Sequence, residues 1–231
     1  YREDPLGRLS RTSAYVTATS FGAIPEVEAA VGMVRRAHQP VKGESHRGRT
    51  YRASAPALAA WVHNALTDSF LQAFIAFGPR RLSEADADRF VEEQRAIGRL
   101  LHAAEMPATA AGLSEWIAEH PEIGPSPGLV EAVAFVRNPP LPWHVKVPYR
   151  LMVGAAVTTL PKRVRQILGL RQIPGARLVG RLLIGALRWA LGSSPSWHVS
   201  LVRVGAPVPP GLFRQPLPAA GALNANVEPA G

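Results

Sequence analysis

The sequence predicts an all-α protein built from about eight or nine helices. Apolar residues recur at helical spacing through most of the chain, and proline and glycine stand where helices begin and end. No segment before residue 196 shows the strict alternation of a β-strand. We therefore expect one helical domain over residues 1–204, followed by an irregular tail rich in proline, alanine and glycine over residues 205–231.

Helical spacing and boundary signals define nine predicted helices. In chain order they lie at 4–22, 25–39, 54–78, 82–104, 111–120, 126–138, 147–160, 161–170 and 174–192. The segment 196–204, which reads SWHVSLVRV, is expected to be short and extended.

Individual residues justify the clearest of these boundaries. Asp4 is a candidate cap of the first helix, and Pro40 stops the second. Ser54 is expected to cap the third helix and Ser83 the fourth. The apolar stripe expected to face the core from the third helix consists of Leu58, Val62, Ala65, Leu66, Ser69, Phe70 and Phe74.

Composition excludes several classes of protein. There are 26 Lys and Arg against 17 Asp and Glu, but the arginines are scattered, so no nucleic-acid partner is expected. The absence of cysteine excludes disulfides, zinc–thiolate sites, iron–sulfur clusters and covalently attached c-type haem.

No signal peptide is visible and the chain starts with Tyr, so we expect part of the N-terminus to be missing. The bacterial cytoplasm is the favoured compartment, and secretion stays open if the missing part carried a signal.

Histidines are the main chemical candidates, because the chain has no phosphate-binding glycine loop and no H-E-x-x-H, G-x-S-x-G or E-x-x-H motif. His38 continues the apolar stripe of the second helix, so we expect it to face the core. A buried imidazole there needs a carbonyl, a carboxylate, a water or a metal as partner. His63 lies beside the stripe of the third helix and is interpreted as a structural histidine between helices.

The first helix carries a polar cluster of Arg8, Arg11 and Thr12. Arg8 and Thr12 are four residues apart and share a face, near which Tyr15 continues. This cluster is either a solvated edge or a polar corner of a pocket, where an arginine could hold a carboxylate.

Four segments together are similar to one known family. DPLGRLSRTSAYVTATSFG, VRRAHQPVKG, GRTYRASAPALAAWVHNALTDSFLQAF and LSEADADRFVEEQRAIGRLL occur in the order seen in the latex-clearing rubber oxygenases. The same family holds the endoplasmic-reticulum oxygenase of mycophenolic acid biosynthesis and many bacterial proteins. The resemblance extends from residue 2 to residue 190 and depends on the combination of motifs rather than on any one of them.

The resemblance implies a helical domain that binds one haem b non-covalently, with His38 as the proximal iron ligand. Arg8 and Thr12 match the distal R-x-x-K-T pattern and are the expected catalytic residues. Arg11 stands where rubber oxygenases have an iron-capping lysine, and a protonated arginine is not expected to ligate iron. We place Arg11 and His63 among the side chains that contact the haem.

The function implied by the resemblance is oxidation of an apolar substrate, such as an isoprenoid or another alkene, by dioxygen. A non-catalytic helical protein that binds lipid or haem is the alternative. A third interpretation is a peripheral membrane protein that lies on the bilayer through its arginine-edged helix at 174–192. The sequence leaves the oligomeric state open.

Overall fold

A computed structural model describes residues 5–208 and confirms the all-α prediction. Within these residues there are ten helices and one small hairpin. In chain order they are α1 (Pro5–Phe21), α2 (Ile24–His38), β1 (Lys42–Glu44), β2 (Thr50–Arg52), α3 (Pro56–Phe77), α4 (Glu84–Leu100), α5 (Ala110–Glu119), α6 (Pro127–Arg137), α7 (Trp143–Val157), α8 (Lys162–Ile167), α9 (Ala176–Leu191) and α10 (Pro195–Arg203). The predicted cap Asp4 and the predicted tail from residue 209 onward lie outside the described residues. No helix between residues 5 and 208 is both long and apolar enough to span a bilayer.

The chain divides into two compact units. Among the described residues, one unit comprises 5–36 and 186–208, and the other comprises Ala37–Gly185. In the first unit, α10 is joined to the end of α1, because the Ser200 hydroxyl donates to the carbonyl oxygen of Phe21 over 2.8 Å. Arg203, at the end of α10, also forms an ion pair of 3.0 Å with Glu26 of α2.

The extended conformation predicted for 196–204 is wrong, because these residues belong to α10. The valines and Trp197 in this segment favoured a strand by composition. Pro195 occupies the first helical turn, where its fixed φ and missing N–H suit a helix start. This local start signal and the contacts with α1 outweigh the strand preference of the side chains.

The core of the second unit is formed where α3, α4 and α5 pack together. Its buried residues are Leu71, Ala87, Val91, Leu113 and Ile117, and Trp61, Phe90 and Trp116 pack against them. Two helices of this core, α4 and α5, begin with a side-chain N-cap. The Ser83 hydroxyl accepts from the amide of Asp86 as predicted, and the Thr109 hydroxyl accepts from the amide of Gly112.

The predicted core stripe of α3 is wrong. Leu58, Val62 and Phe70 of that stripe are exposed, whereas the buried residues of α3 are Ala60, His63, Asn64, Thr67, Asp68, Leu71 and Ala76. Apolar residues occur all round this helix, so their spacing alone could not identify the face that packs. The cap prediction at Ser54 is also wrong, since the helix begins after Ala55 without a side-chain cap and starts at Pro56.

The hairpin of β1 and β2 is a feature that the sequence did not predict. Its two strands are antiparallel, with Gly43 opposite Tyr51, and every residue in them is exposed. Strands of three exposed residues carry no apolar alternation, which is the signal that identifies a strand. Arg49, beyond the turn, forms an ion pair of 2.8 Å with Glu122.

Two contacts fix the positions of α8 and α9. Arg163 of α8 donates to the carbonyl oxygens of Ala118 and His120 at the end of α5 and of Ile123 in the loop that follows. In α9, only Gly180 is buried. A Cβ atom added there would lie 2.6 Å from the Cβ of Ala155, so glycine allows α9 to approach α7 closely.

Candidate functional site

The three predicted polar residues of α1 are exposed. Arg8, Arg11 and Thr12 all lie at the surface, and the Thr12 hydroxyl donates to the carbonyl oxygen of Arg8 over 3.0 Å. That bond uses the hydroxyl proton and leaves the Thr12 oxygen able to accept a hydrogen bond. The first helix therefore presents a permanent cation and an acceptor on one face, with Arg11 beside them.

Tyr15 extends this polar face toward the interior. Its hydroxyl is buried and has no hydrogen-bond partner within residues 5–208. Burial raises the pKa of Tyr15 to about 12, so the phenol stays protonated at physiological pH. Because residues 8, 12 and 15 follow helical spacing, α1 brings an arginine, a threonine and an unpaired phenol onto one side.

His38 is exposed, so the prediction that it faces the core is wrong. It is the last residue of α2, and its carbonyl oxygen accepts from the amide of Val41 over 3.1 Å. The apolar stripe of α2 is buried at Val31 and only half-buried at Val34. Helical spacing places His38 one turn after Val34 on the same side of α2. The helix extends beyond the turn at which other residues cover this side, so His38 is exposed.

His63 is buried between α3 and α4, with only 7% of its surface exposed. Its ring packs against Gly98, where an added Cβ would lie 3.0 Å from both the Cδ2 and Nε2 atoms. Burial lowers the pKa of His63 below its ordinary value of 6.5, so the imidazole is neutral at pH 7. This position agrees with a structural histidine between helices, and the predicted contact with a cofactor stays a prediction.

Acidification is expected to destabilise the protein in part through His63. The unfolded imidazole takes up a proton near its ordinary pKa of 6.5, whereas in the folded chain burial lowers that pKa. The unfolded state therefore binds more protons between the two pKa values. This contribution to stability is complete above pH 6.5 and is lost as the pH falls through the folded-state pKa. Urea unfolding between about pH 8 and about pH 5 should show a weaker pH dependence for His63→Gln, and an unchanged dependence contradicts the prediction.

A buried polar seam on α3 is the feature that sequence reasoning missed. It continues from His63 through Asn64, Thr67 and Asp68, all of which are buried. The Asn64 amide donates to the carbonyl oxygen of Glu105 over 2.9 Å, and Asp68 accepts from the hydroxyl of Ser114 over 3.0 Å. Polar residues at positions 63, 64, 67 and 68 follow helical spacing, and this pattern was the available signal.

The second unit also contains an apolar cavity of about 550 Å³. It lies among α3, α6, α7 and α9 and is lined by Ser69, Ala73, Phe77, Leu129, Ala132, Val133, Val136, Arg137, Met152, Val153, Ala155, Ala156, Val157, Thr159, Leu160, Leu168, Leu170, Gly180, Leu183 and Ile184. Arg137 is the one charged residue among these, and none of them is a histidine. The cavity is of the size and character of ligand pockets, which commonly measure roughly 300–1,000 Å³.

The donors that could hold a metal ion or a cofactor are few in the described part of the chain. Between residues 5 and 208, no three His, Asp or Glu side chains cluster as a metal site would require. A haem iron takes four nitrogens from its porphyrin and needs one imidazole from the protein. The His38 side chain is accessible and makes no hydrogen bond to any described residue. The His38 imidazole is therefore accessible to a ligand from outside the described part of the chain.

These features describe an all-α protein with an accessible histidine, a polar face on its first helix and an apolar cavity in its second unit. The family model described as "ER-bound oxygenase mpaB/B'/Rubber oxygenase, catalytic domain" matches residues 1–189, and the chain belongs to this family. The match confirms the resemblance seen in the sequence. No curated protein and no solved structure matches the chain.

Proposed function

We propose that this protein is a haem b-dependent oxygenase that uses dioxygen to oxidise an apolar substrate containing a carbon–carbon double bond, such as an isoprenoid. The observation that carries the proposal is the family match over residues 1–189, within which V-R-x-x-H ends at His38 and R-x-x-R-T begins at Arg8. Haem, when bound, supplies the oxygen chemistry, while the protein supplies orientation and access.

In this proposal His38 provides the axial imidazole. A neutral imidazole nitrogen is a good iron ligand, and the ring is accessible from outside the folded chain. The support for this role is the motif match within the family, since His38 is exposed and does not occupy a core position. Arg35, three residues earlier in the same motif, is likewise exposed.

The α1 face supplies the proposed polar contacts. Arg8 can donate several hydrogen bonds to an anionic or polarised oxygen, and the Thr12 oxygen can accept one. The buried Tyr15 hydroxyl is an additional donor, since it remains protonated and has no partner in the described part of the chain. Arg11 is assigned an electrostatic role toward the haem propionates rather than iron ligation, because a guanidinium offers donors and no acceptor.

An absorption spectrum tests the proposal. Protein expressed with a haem precursor is expected to show a Soret band and about one iron per chain, as one axial imidazole implies. Addition of an apolar alkene and dioxygen should then give oxidised products. Colourless protein that also fails to take up haemin on reconstitution would contradict the proposal and favour the non-catalytic alternative.

A further inference from the structure

The helix α6 is apolar but poorly packed. Leucine, valine, alanine and phenylalanine make up most of Pro127–Arg137, yet none of its residues is buried. Val130 is 68% exposed and Val136 is 49% exposed. The apolar cavity lies along this helix and includes Ala132, Val133 and Val136 in its wall. An apolar ligand in the cavity would cover apolar surface that is exposed on α6 within residues 5–208.

The C-terminal end of α6 is held firmly in place. The Tyr149 hydroxyl of α7 donates to the carbonyl oxygen of Val136 over 2.7 Å. The amide of Asn138 caps the helix by donating to the carbonyl oxygens of Ala134 and Phe135. The last helical residue, Arg137, is therefore attached to a fixed backbone.

Arg137 stands where the cavity meets solvent. It lines the cavity and is itself exposed. No carboxylate or carbonyl group within residues 5–208 pairs with its guanidinium, whereas Arg163 and Arg181 in the same unit both donate to carbonyl oxygens. A guanidinium beside an apolar cavity favours a ligand with an anionic end and an apolar body.

We propose that this cavity binds the alkyl chain of a single-chain carboxylate amphiphile, such as a fatty acid, and that Arg137 binds its carboxylate. The planar guanidinium matches the two oxygens of a carboxylate. The chain would enter between α6 and α7, because Ala132, Val136 and Met152 line the cavity and are also exposed. Gly180 of α9, which also lines the cavity, packs directly against Ala155 of α7. This inference does not depend on the proposed haem chemistry.

Calorimetric titration with octanoate, decanoate and dodecanoate, each below its micelle concentration, tests the apolar part of the site. Saturable binding of one molecule per chain is expected. Affinity should rise about fourfold per added methylene until the cavity is filled. Ala132→Phe, which adds a ring at an exposed position of the cavity wall, should abolish binding without unfolding the protein. Non-saturating uptake, or uptake unchanged in Ala132→Phe, would overturn the proposal.

The charge at Arg137 is tested with Arg137→Met, and Arg150→Met serves as the matched control. Arg150 is an exposed arginine of α7 that does not line the cavity. Arg137→Met should weaken dodecanoate binding about fivefold to tenfold, and it should leave binding of the dodecanoate methyl ester unchanged. Arg150→Met should leave both unchanged. Equal losses in the two variants, or equal losses for acid and ester, would overturn the assignment of Arg137.

A competition experiment separates this inference from the haem proposal. Haemin and dodecanoate should bind independently, and the Soret band of haem-loaded protein should persist in Ala132→Phe and Arg137→Met. If haemin displaces dodecanoate and Ala132→Phe loses the Soret band, the cavity belongs to the haem and the carboxylate proposal is wrong. If no Soret band forms but dodecanoate binds as described, the haem proposal alone fails.

Discussion

Replacing Leu71 with alanine is expected to lower the free energy of unfolding by about 2–5 kcal/mol. Leu71 is 2% exposed and lies in the core formed by α3, α4 and α5. Its removal leaves a cavity bordered by Val91 and Leu113, which belong to separate helices and cannot easily close over the lost volume. Urea denaturation followed by circular dichroism measures the change.

Ile75→Ala provides the matched control, because Ile75 lies one turn later on the same helix and is 47% exposed. It is expected to cost less than about 1.5 kcal/mol, since half of its surface is already in water. Equal losses for the two variants would show that α3 buries a different face from the one described here.

Replacing His38 with alanine is expected to weaken haem binding by roughly 100-fold, since even indirect changes around a metal ligand cost 10–100-fold in affinity. The variant should fold normally, because His38 is exposed and its side chain contacts no hydrogen-bond partner in residues 5–208. Haemin titration monitored at the Soret band measures the affinity, and circular dichroism verifies the fold.

His46→Ala is the control for this experiment. His46 is also an exposed histidine and lies eight residues later, in the turn between β1 and β2. It should retain the affinity of the unmodified protein. If His46→Ala loses as much haem affinity as His38→Ala, the loss is not specific to His38 and the assignment of His38 as the haem ligand is wrong.

Local signals predicted most helix boundaries correctly because they act over one turn. Ser83 caps its helix as predicted, Ser126 caps α6 at the predicted start of that helix, and Pro40 follows the end of α2. Such a signal depends on neighbours within four residues, all of which are visible in the sequence. Pro195 is a local start signal of the same kind for α10, but the strand-forming side chains that follow it led to a wrong prediction of an extended segment.

The choice of buried face could not be predicted for α3, because its apolar residues surround the helix. The face that packs is determined by partners far along the chain, including Glu105, which accepts from Asn64, and Ser114, which donates to Asp68. These hydrogen bonds allow polar side chains to be buried without the cost of losing water. A prediction from hydropathy alone places such polar side chains in solvent, and for this reason the predicted core stripe of α3 lies on the wrong side of the helix.

The same limit explains the position of His38. Helical periodicity predicts on which side of α2 the imidazole lies. It does not predict how far along the helix other residues pack against that side. Val31 is buried and Val34 half-buried, so coverage ends before residue 38. The apolar cavity was equally invisible, since its walls come from α3, α6, α7 and α9, which are distant in sequence.

Chemical rescue of His38→Gly tests whether the imidazole at position 38 holds a haem iron. We expect this variant to lose the Soret band and to regain it when free imidazole is added, because the small molecule can occupy the position of the missing side chain. The unmodified protein should show the band without imidazole. Retention of the full band by His38→Gly in the absence of imidazole would contradict the account.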